Sequence, residues 1–138
     1  MLTDDDRFFR SLLTDLLRER GLAVEVASYD SGTSFLAAAA ERYQQGLPVK
    51  LVILDIMMEP LDGIVTALAL RAIEKGLKIS PPAPVLFLSA YRCDDNMRKL
   101  MGRSQPALYL NKGSDATPDR LGSRLEKVIA YLLEQESK

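Results

Sequence analysis

Asp55 ends the most apolar stretch of the chain, Leu51-Val52-Ile53-Leu54, and is followed by Ile56-Met57-Met58. An ionised carboxylate is costly to hold against apolar surroundings unless something pairs with it. Other polar residues also follow apolar runs: Asp4 and Asp5 come after Met1-Leu2-Thr3, Ser89 after Val85-Leu86-Phe87-Leu88, and Lys112 after the segment 107–110. Three carboxylates, a hydroxyl and an ammonium suit one kind of chemistry when they converge. Clustered carboxylates repel one another unless a cation intervenes. Mg2+ is the natural choice, a hard ion that takes oxygen ligands, keeps several waters and favours a phosphate partner.

Convergence requires that these runs be parallel strands ending on one edge of a sheet, where ligands gather in open α/β proteins. The runs 51–54 and 85–88 have the length and continuous apolarity of strands buried on both faces. Shorter strands are expected over 1–3, 22–27 and 107–110. Helical spacing of Phe8, Phe9, Leu12, Leu13, Leu16 and Leu17 predicts a first helix, capped by Asp6 and stopped by Gly21. Further helices are expected over the alanine-rich stretch 35–43, over 64–73, over 94–101, and from Thr117-Pro118 onward with Leu121, Leu125, Val128, Ile129 and Leu132 on one face. Strands alternating with helices imply a parallel sheet covered on both sides.

The chain has 138 residues, 47% of them hydrophobic and 27% charged, which suits one ordered domain over residues 1–138 with its core within about 1–134. The net charge is −1, from 18 basic and 19 acidic residues, which argues against a nucleic-acid-coating surface. There is no histidine, so His-based triads and zincin motifs are excluded. The lone Cys93 allows no intramolecular disulfide. No apolar run approaches the ~20 residues that span a bilayer, and the acidic amino-terminal residues do not read as a signal peptide. A cytoplasmic location is expected.

The chain resembles the receiver domain of two-component response regulators, of the chemotaxis-regulator type. The resemblance rests on Asp4-Asp5-Asp6 with Arg10, on Leu51 to Asp55 with Met58 and Asp62-Gly63, on Leu88-Ser89-Ala90, and on Tyr109-Leu110-Asn111-Lys112. It implies a flavodoxin-like doubly wound α/β fold, a parallel sheet of strand order 2-1-3-4-5 with helices on both faces. It implies that Asp55 accepts a phosphoryl group from a histidine of a sensor kinase or phosphotransfer protein, giving an aspartyl phosphate. Asp4, Asp5, Asp55 and the backbone carbonyl of Met57 would hold Mg2+, with Asp4 acting through water. Lys112 and Ser89 would take phosphoryl oxygens, and Ser89 and Tyr109 would form the switch. The output would be a population shift of the face formed by the fourth helix, fifth strand and fifth helix, a surface also suited to a homodimer. Such a chain is a signalling switch rather than a turnover enzyme.

Several positions depart from the family pattern. Only three residues precede Asp4, so the first strand is unusually short, and an additional upstream segment is expected. Glu59-Pro60 stands where the family more often has Pro after the methionine, Gly113 replaces the usual Pro after the lysine, and the stretch from Ser89 to Lys112 is about one residue longer than typical. Met57 and Tyr91 occupy positions that tune water access to the phosphoryl group. Both are bulky, so slow dephosphorylation is expected. No output domain is expected after the last helix. The alternative function is a pseudo-receiver, a protein-interaction module of the same fold that takes no phosphate. A haloacid-dehalogenase-like phosphatase would need an acid where Met57 stands, and a nucleotide- or flavin-binding domain would need a glycine-rich first loop where this chain has acids.

Overall fold

In the computed structural model of the chain, residues 1–22, 25–57, 62–89, 94–111 and 118–136 are described. The third strand, β3 (Val52–Asp55), explains the arrangement around it, because all four of its residues are buried. Val52 and Leu54 point into one core and Ile53 into the other, so an uninterrupted apolar run is what a strand covered on both faces requires. The same alternation recurs in β4 (Val85–Ser89), where Val85 and Phe87 face one core and Leu86 and Leu88 the other.

The full element order is β1 (Leu2–Thr3), α1 (Arg7–Glu19), β2 (Ser28–Tyr29), α2 (Gly32–Gln44), β3, α3 (Gly63–Gly76), β4, α4 (Asp95–Gly102), β5 (Ala107–Asn111) and α5 (Pro118–Glu136). The strands form one sheet in the order β2-β1-β3-β4-β5, and every pairing is parallel. This is the flavodoxin-like topology that the family resemblance implied. Helices α1 and α5 cover one face through Leu13, Leu16, Leu17, Leu121, Leu125, Ile129 and Leu132. Helices α2, α3 and α4 cover the other through Phe35, Ala39, Ile64, Ala67, Leu70 and Met101. The expected cap of α1 is in place: Asp6 accepts hydrogen bonds from the amides of Phe8 and Phe9. Ser31, Asp62 and Asp94 likewise accept from amides in the first turns of α2, α3 and α4. Thr117, the expected cap of α5, lies outside the described residues.

One strand is displaced from its expected position. The run 22–27 was expected to be β2, but β2 is Ser28–Tyr29. The cause is its partner: β1 offers only Leu2 and Thr3, and these pair with Ser28 and Tyr29. Leu22 and Val26 pack instead as partly buried members of the α1–α5 core. The first strand is as short as the sequence suggested.

Two packing features fix α3. Gly63 begins it, and a Cβ there would lie 2.2 Å from the carbonyl oxygen of Asp55. The Gly63 amide donates to the Ile56 carbonyl at 2.9 Å. Space rather than backbone conformation demands glycine. At the other end of α3, Glu74 is 2% exposed. One of its oxygens accepts from the Tyr43 hydroxyl at 2.7 Å and from the Ala83 amide at 2.8 Å. The other pairs with Arg71, whose guanidinium also donates to the carbonyls of Ser104, Ala83 and Pro106. This network joins α2 and α3 to the segments entering β4 and β5, and its charges are satisfied on both sides.

Removing one partner of such a buried pair strands the other. Glu74→Ala should cost about 3–5 kcal/mol, read from urea unfolding, and a loss below about 1 kcal/mol would contradict the network's role. Gly63→Ala should cost about 1–3 kcal/mol through overpacking against the Asp55 carbonyl; wild-type stability in the same assay would show that the contact relaxes freely.

Candidate functional site

Parallel pairing brings the carboxyl ends of the strands to one edge of the sheet. Thr3 lies in register with Leu54, so the next residues along the two strands, Asp4 and Asp55, stand level. Asp4 is 1% exposed, Asp55 6% and Ser89 1%, while Asp5 is exposed. One carboxylate oxygen from each of Asp4, Asp5 and Asp55 lies within 4.8 Å of the others. Asp55 is opposite Leu88, which puts Ser89 at the adjacent strand end, one residue further along. Ser89 is in turn opposite Asn111, the last residue of β5. Lys112 follows Asn111 in the chain but lies outside the described residues, as do Met58 and Tyr91.

The three leading acids divide their work. Asp6 caps α1, whereas Asp4 and Asp5 turn to Asp55. Local hydrogen bonds hold Asp4 in that position: its Oδ1 accepts from the Asp6 amide at 2.9 Å, and its backbone carbonyl accepts from the Arg10 guanidinium at 2.6 Å. The Met57 amide donates to Asp55 Oδ1 at 3.3 Å, orienting that carboxylate and bringing the Met57 backbone beside it. The Met57 side chain is 54% exposed, so it lies outside the core. Thr3, directly before Asp4, has a buried hydroxyl with no hydrogen-bond partner among the described residues. Tyr109 lies opposite Phe87 in β5 and is a partly buried neighbour of the α2–α3–α4 core.

The donor set suits a hard divalent cation. Oxygen ligands of one Mg2+ lie about 2.0–2.1 Å from the ion, hence no more than about 4.2 Å apart. A cluster within 4.8 Å needs only a small closing movement, or one water between ion and carboxylate. Three ionised carboxylates this close repel one another, and a divalent charge offsets most of that repulsion. Two supporting residues had no role assigned from sequence. Arg10 entered only as a companion of Asp4-Asp5-Asp6 in the resemblance, with no sign that it reaches back to the Asp4 carbonyl. Gly63 was visible only as half of Asp62-Gly63, and its reason, contact with the Asp55 backbone, lies in tertiary structure.

Comparison with known proteins bears on the fold and the family. The transcriptional regulatory protein ZraR of Escherichia coli strain K12 is 30% identical over 131 residues, covering 95% of this chain and 26% of ZraR. The chain thus spans about a quarter of the length of that relative. The response regulator receiver protein CpdR of Brucella abortus is 32% identical over 119 residues, 86% of this chain and 77% of CpdR. Among solved structures, the receiver domain of the histidine kinase CKI1 from Arabidopsis thaliana, crystallised with Mg2+ and BeF3−, superimposes with a TM-score of 0.77 at 23% identity, covering 99% of this chain and 88% of that one. The response regulator domain of Thermotoga maritima CheB gives 0.69 at 18% identity, covering 96% and 93%. The family model of the response regulator receiver domain matches residues 1–125. The chain belongs to the response regulator receiver domain family.

Proposed function

We propose that the chain is a phosphoacceptor switch in which Asp55 receives a phosphoryl group from a phosphohistidine of a sensor kinase or phosphotransfer protein. The observation that carries this reading is the placement of Asp55 within 4.8 Å of Asp4 and Asp5, with buried Ser89 at the end of the neighbouring strand. A carboxylate oxygen of Asp55 attacks phosphorus in line, the bond from phosphorus to the donor imidazole nitrogen breaks, and the nitrogen keeps the electron pair. Mg2+, when bound, offsets the charge that gathers on the carboxylates and phosphoryl oxygens. Asp5, Asp4 through water, Asp55 and the Met57 carbonyl would hold it. The Met57 amide keeps Asp55 turned toward the cluster. Ser89 donates its hydroxyl to one phosphoryl oxygen and Lys112 its ammonium to another.

Movement of Ser89 toward the phosphate opens room into which Tyr109 turns. The face made of α4, β5 and α5 then shifts in population toward the form that a downstream protein, or a second copy, recognises. The chain acts as a cytoplasmic switch, not as a turnover enzyme, and makes no direct contact with nucleic acid. Among the described residues no helix is long and apolar enough to cross a membrane. The short β1, which leads directly into two of the three acids, favours a second reading, a pseudo-receiver that binds partners without phosphate.

Incubation with Mg2+ and acetyl phosphate, followed by intact-mass measurement, separates the two. The switch gives a phosphate adduct that disappears completely in Asp55→Asn and on chelation of Mg2+; no adduct with any donor establishes the pseudo-receiver. The exposed Met57 side chain and Tyr91 restrict the approach of water to the phosphoryl group. Met57→Asn combined with Tyr91→Glu should shorten the half-life of the adduct severalfold, and an unchanged half-life would remove the steric account.

A further inference from the structure

The chain has five methionines, and Met1, Met57, Met97 and Met101 fall among the described residues. Three of these pack with the α2–α3–α4 core: Met101 is buried in it, and Met1 and Met97 are partly buried against it. Met57 is the exception, more than half exposed and a member of neither core. A single apolar side chain in water normally has no consequence. The backbone gives this one a fixed address. The Ile56 carbonyl just before it accepts from the Gly63 amide at 2.9 Å, and the Met57 amide donates to Asp55 Oδ1 at 3.3 Å. Four bonds of about 1.5 Å each separate that amide nitrogen from Sδ, so the sulfur lies no more than about 9 Å from the Asp55 carboxylate in any rotamer. An exposed thioether is thus tethered beside the acid cluster of Asp4, Asp5 and Asp55.

We propose that Met57 is a peroxide-sensitive modification site, and that its sulfoxide shortens the life of the phosphate on Asp55. The effect on the phosphate rests on the phosphoacceptor reading of Asp55; the chemistry at sulfur does not. A lone pair of Met57 Sδ attacks one oxygen of hydrogen peroxide. The S–O bond forms as the O–O bond breaks, and the departing hydroxide takes the proton of the transferred oxygen and leaves as water. Sulfur is oxidised by two electrons and the peroxide is reduced by two. The step needs a sulfur in contact with solvent, which exposure gives to Met57 and burial withholds from Met101. The product differs from the thioether in the property that matters beside a phosphate. A thioether sulfur is a weak acceptor, whereas the sulfoxide is polar and its oxygen accepts a hydrogen bond from water. The side chain that kept water away then holds it near the phosphoryl group, and hydrolysis speeds up. Because Met57 lies outside both cores, the fold is left intact, unlike the outcome at a buried methionine. Reductases specific for each sulfoxide epimer reverse the step, so the residue can register peroxide and be reset.

The chain is first treated with limiting hydrogen peroxide in the absence of any phosphodonor, and the added oxygen is located by peptide fragmentation, which separates Met57 from its neighbour Met58. Met57 should oxidise several times faster than Met1, Met97 and Met101, with Tm within about 1 °C of the untreated chain. Equal rates at the four residues, or a fall in Tm of several degrees, overturn the site. Treated and untreated chains are then loaded with acetyl phosphate and Mg2+. Oxidation should shorten the half-life of the adduct severalfold in the chain and in Met58→Leu. It should leave the half-life of Met57→Leu where it stood before treatment, although that variant keeps Met58 and Cys93. Reduction with both stereospecific methionine sulfoxide reductases and a dithiol should restore the original half-life. A half-life that ignores oxidation, that shortens equally in Met57→Leu, or that reduction does not restore overturns the effect on the phosphate. No adduct on the untreated chain overturns the phosphoacceptor reading and the lifetime effect with it, while the oxidation rates still decide whether Met57 is the modified residue.

Discussion

The structure depends on the parallel pairing of β1 between β2 and β3. Two residues, Leu2 and Thr3, carry it, yet they set the register that makes Asp4 level with Asp55. Without that register the acids would be a charged helix start at one end of the chain and an isolated carboxylate in the middle. The proposed metal chemistry rests on a few backbone hydrogen bonds and on the burial of Leu2 among α1 and α5 side chains. Arg10 adds to this by drawing the start of α1 onto the Asp4 carbonyl, and Gly63 does so from the other side by letting α3 begin against the end of β3. Both act on the backbone of an acid rather than on its carboxylate, so they govern where the charge stands.

Much of this was legible in the chain. The runs ending at Leu54 and Leu88 read correctly as strands because a strand buried on both faces has no polar position to confuse the pattern. The start of α1 read correctly because Asp6 answers a local need, an amide without an intrahelical partner; α2 begins at Gly32, ahead of the expected 35, because Ser31 supplies the same kind of cap there. The convergence of Asp4, Asp5 and Asp55 followed from topology alone, since parallel strands share their carboxyl edge. The second strand was misplaced for the opposite reason. Leu22 and Val26 have the apolarity of a strand, but a strand exists only where a partner supplies a ladder, and the partner is short.

What could not be read has a common character. Glu74 looks like any charged residue near a helix end, and Arg71 like its surface companion at i−3. Only the fold brings Tyr43, Ala83, Ser104 and Pro106 around them. A polar residue announces its chemistry in sequence but not its burial, and burial decides whether a pair is a solvated ornament or a structural joint. Gly63 hides in the same way: its lack of a side chain is plain, while the backbone it must admit comes from a segment several residues earlier.

The joint at Glu74 gives the beginnings of β4 and β5 a common anchor. Where β4 and β5 begin, Arg71 clamps the carbonyls of Ala83, Ser104 and Pro106 to α3, and Tyr43 ties α2 to the same point. The first residues of both strands thus share one anchor on α3, and any motion that carried them along would first have to pull a buried charge off its partners.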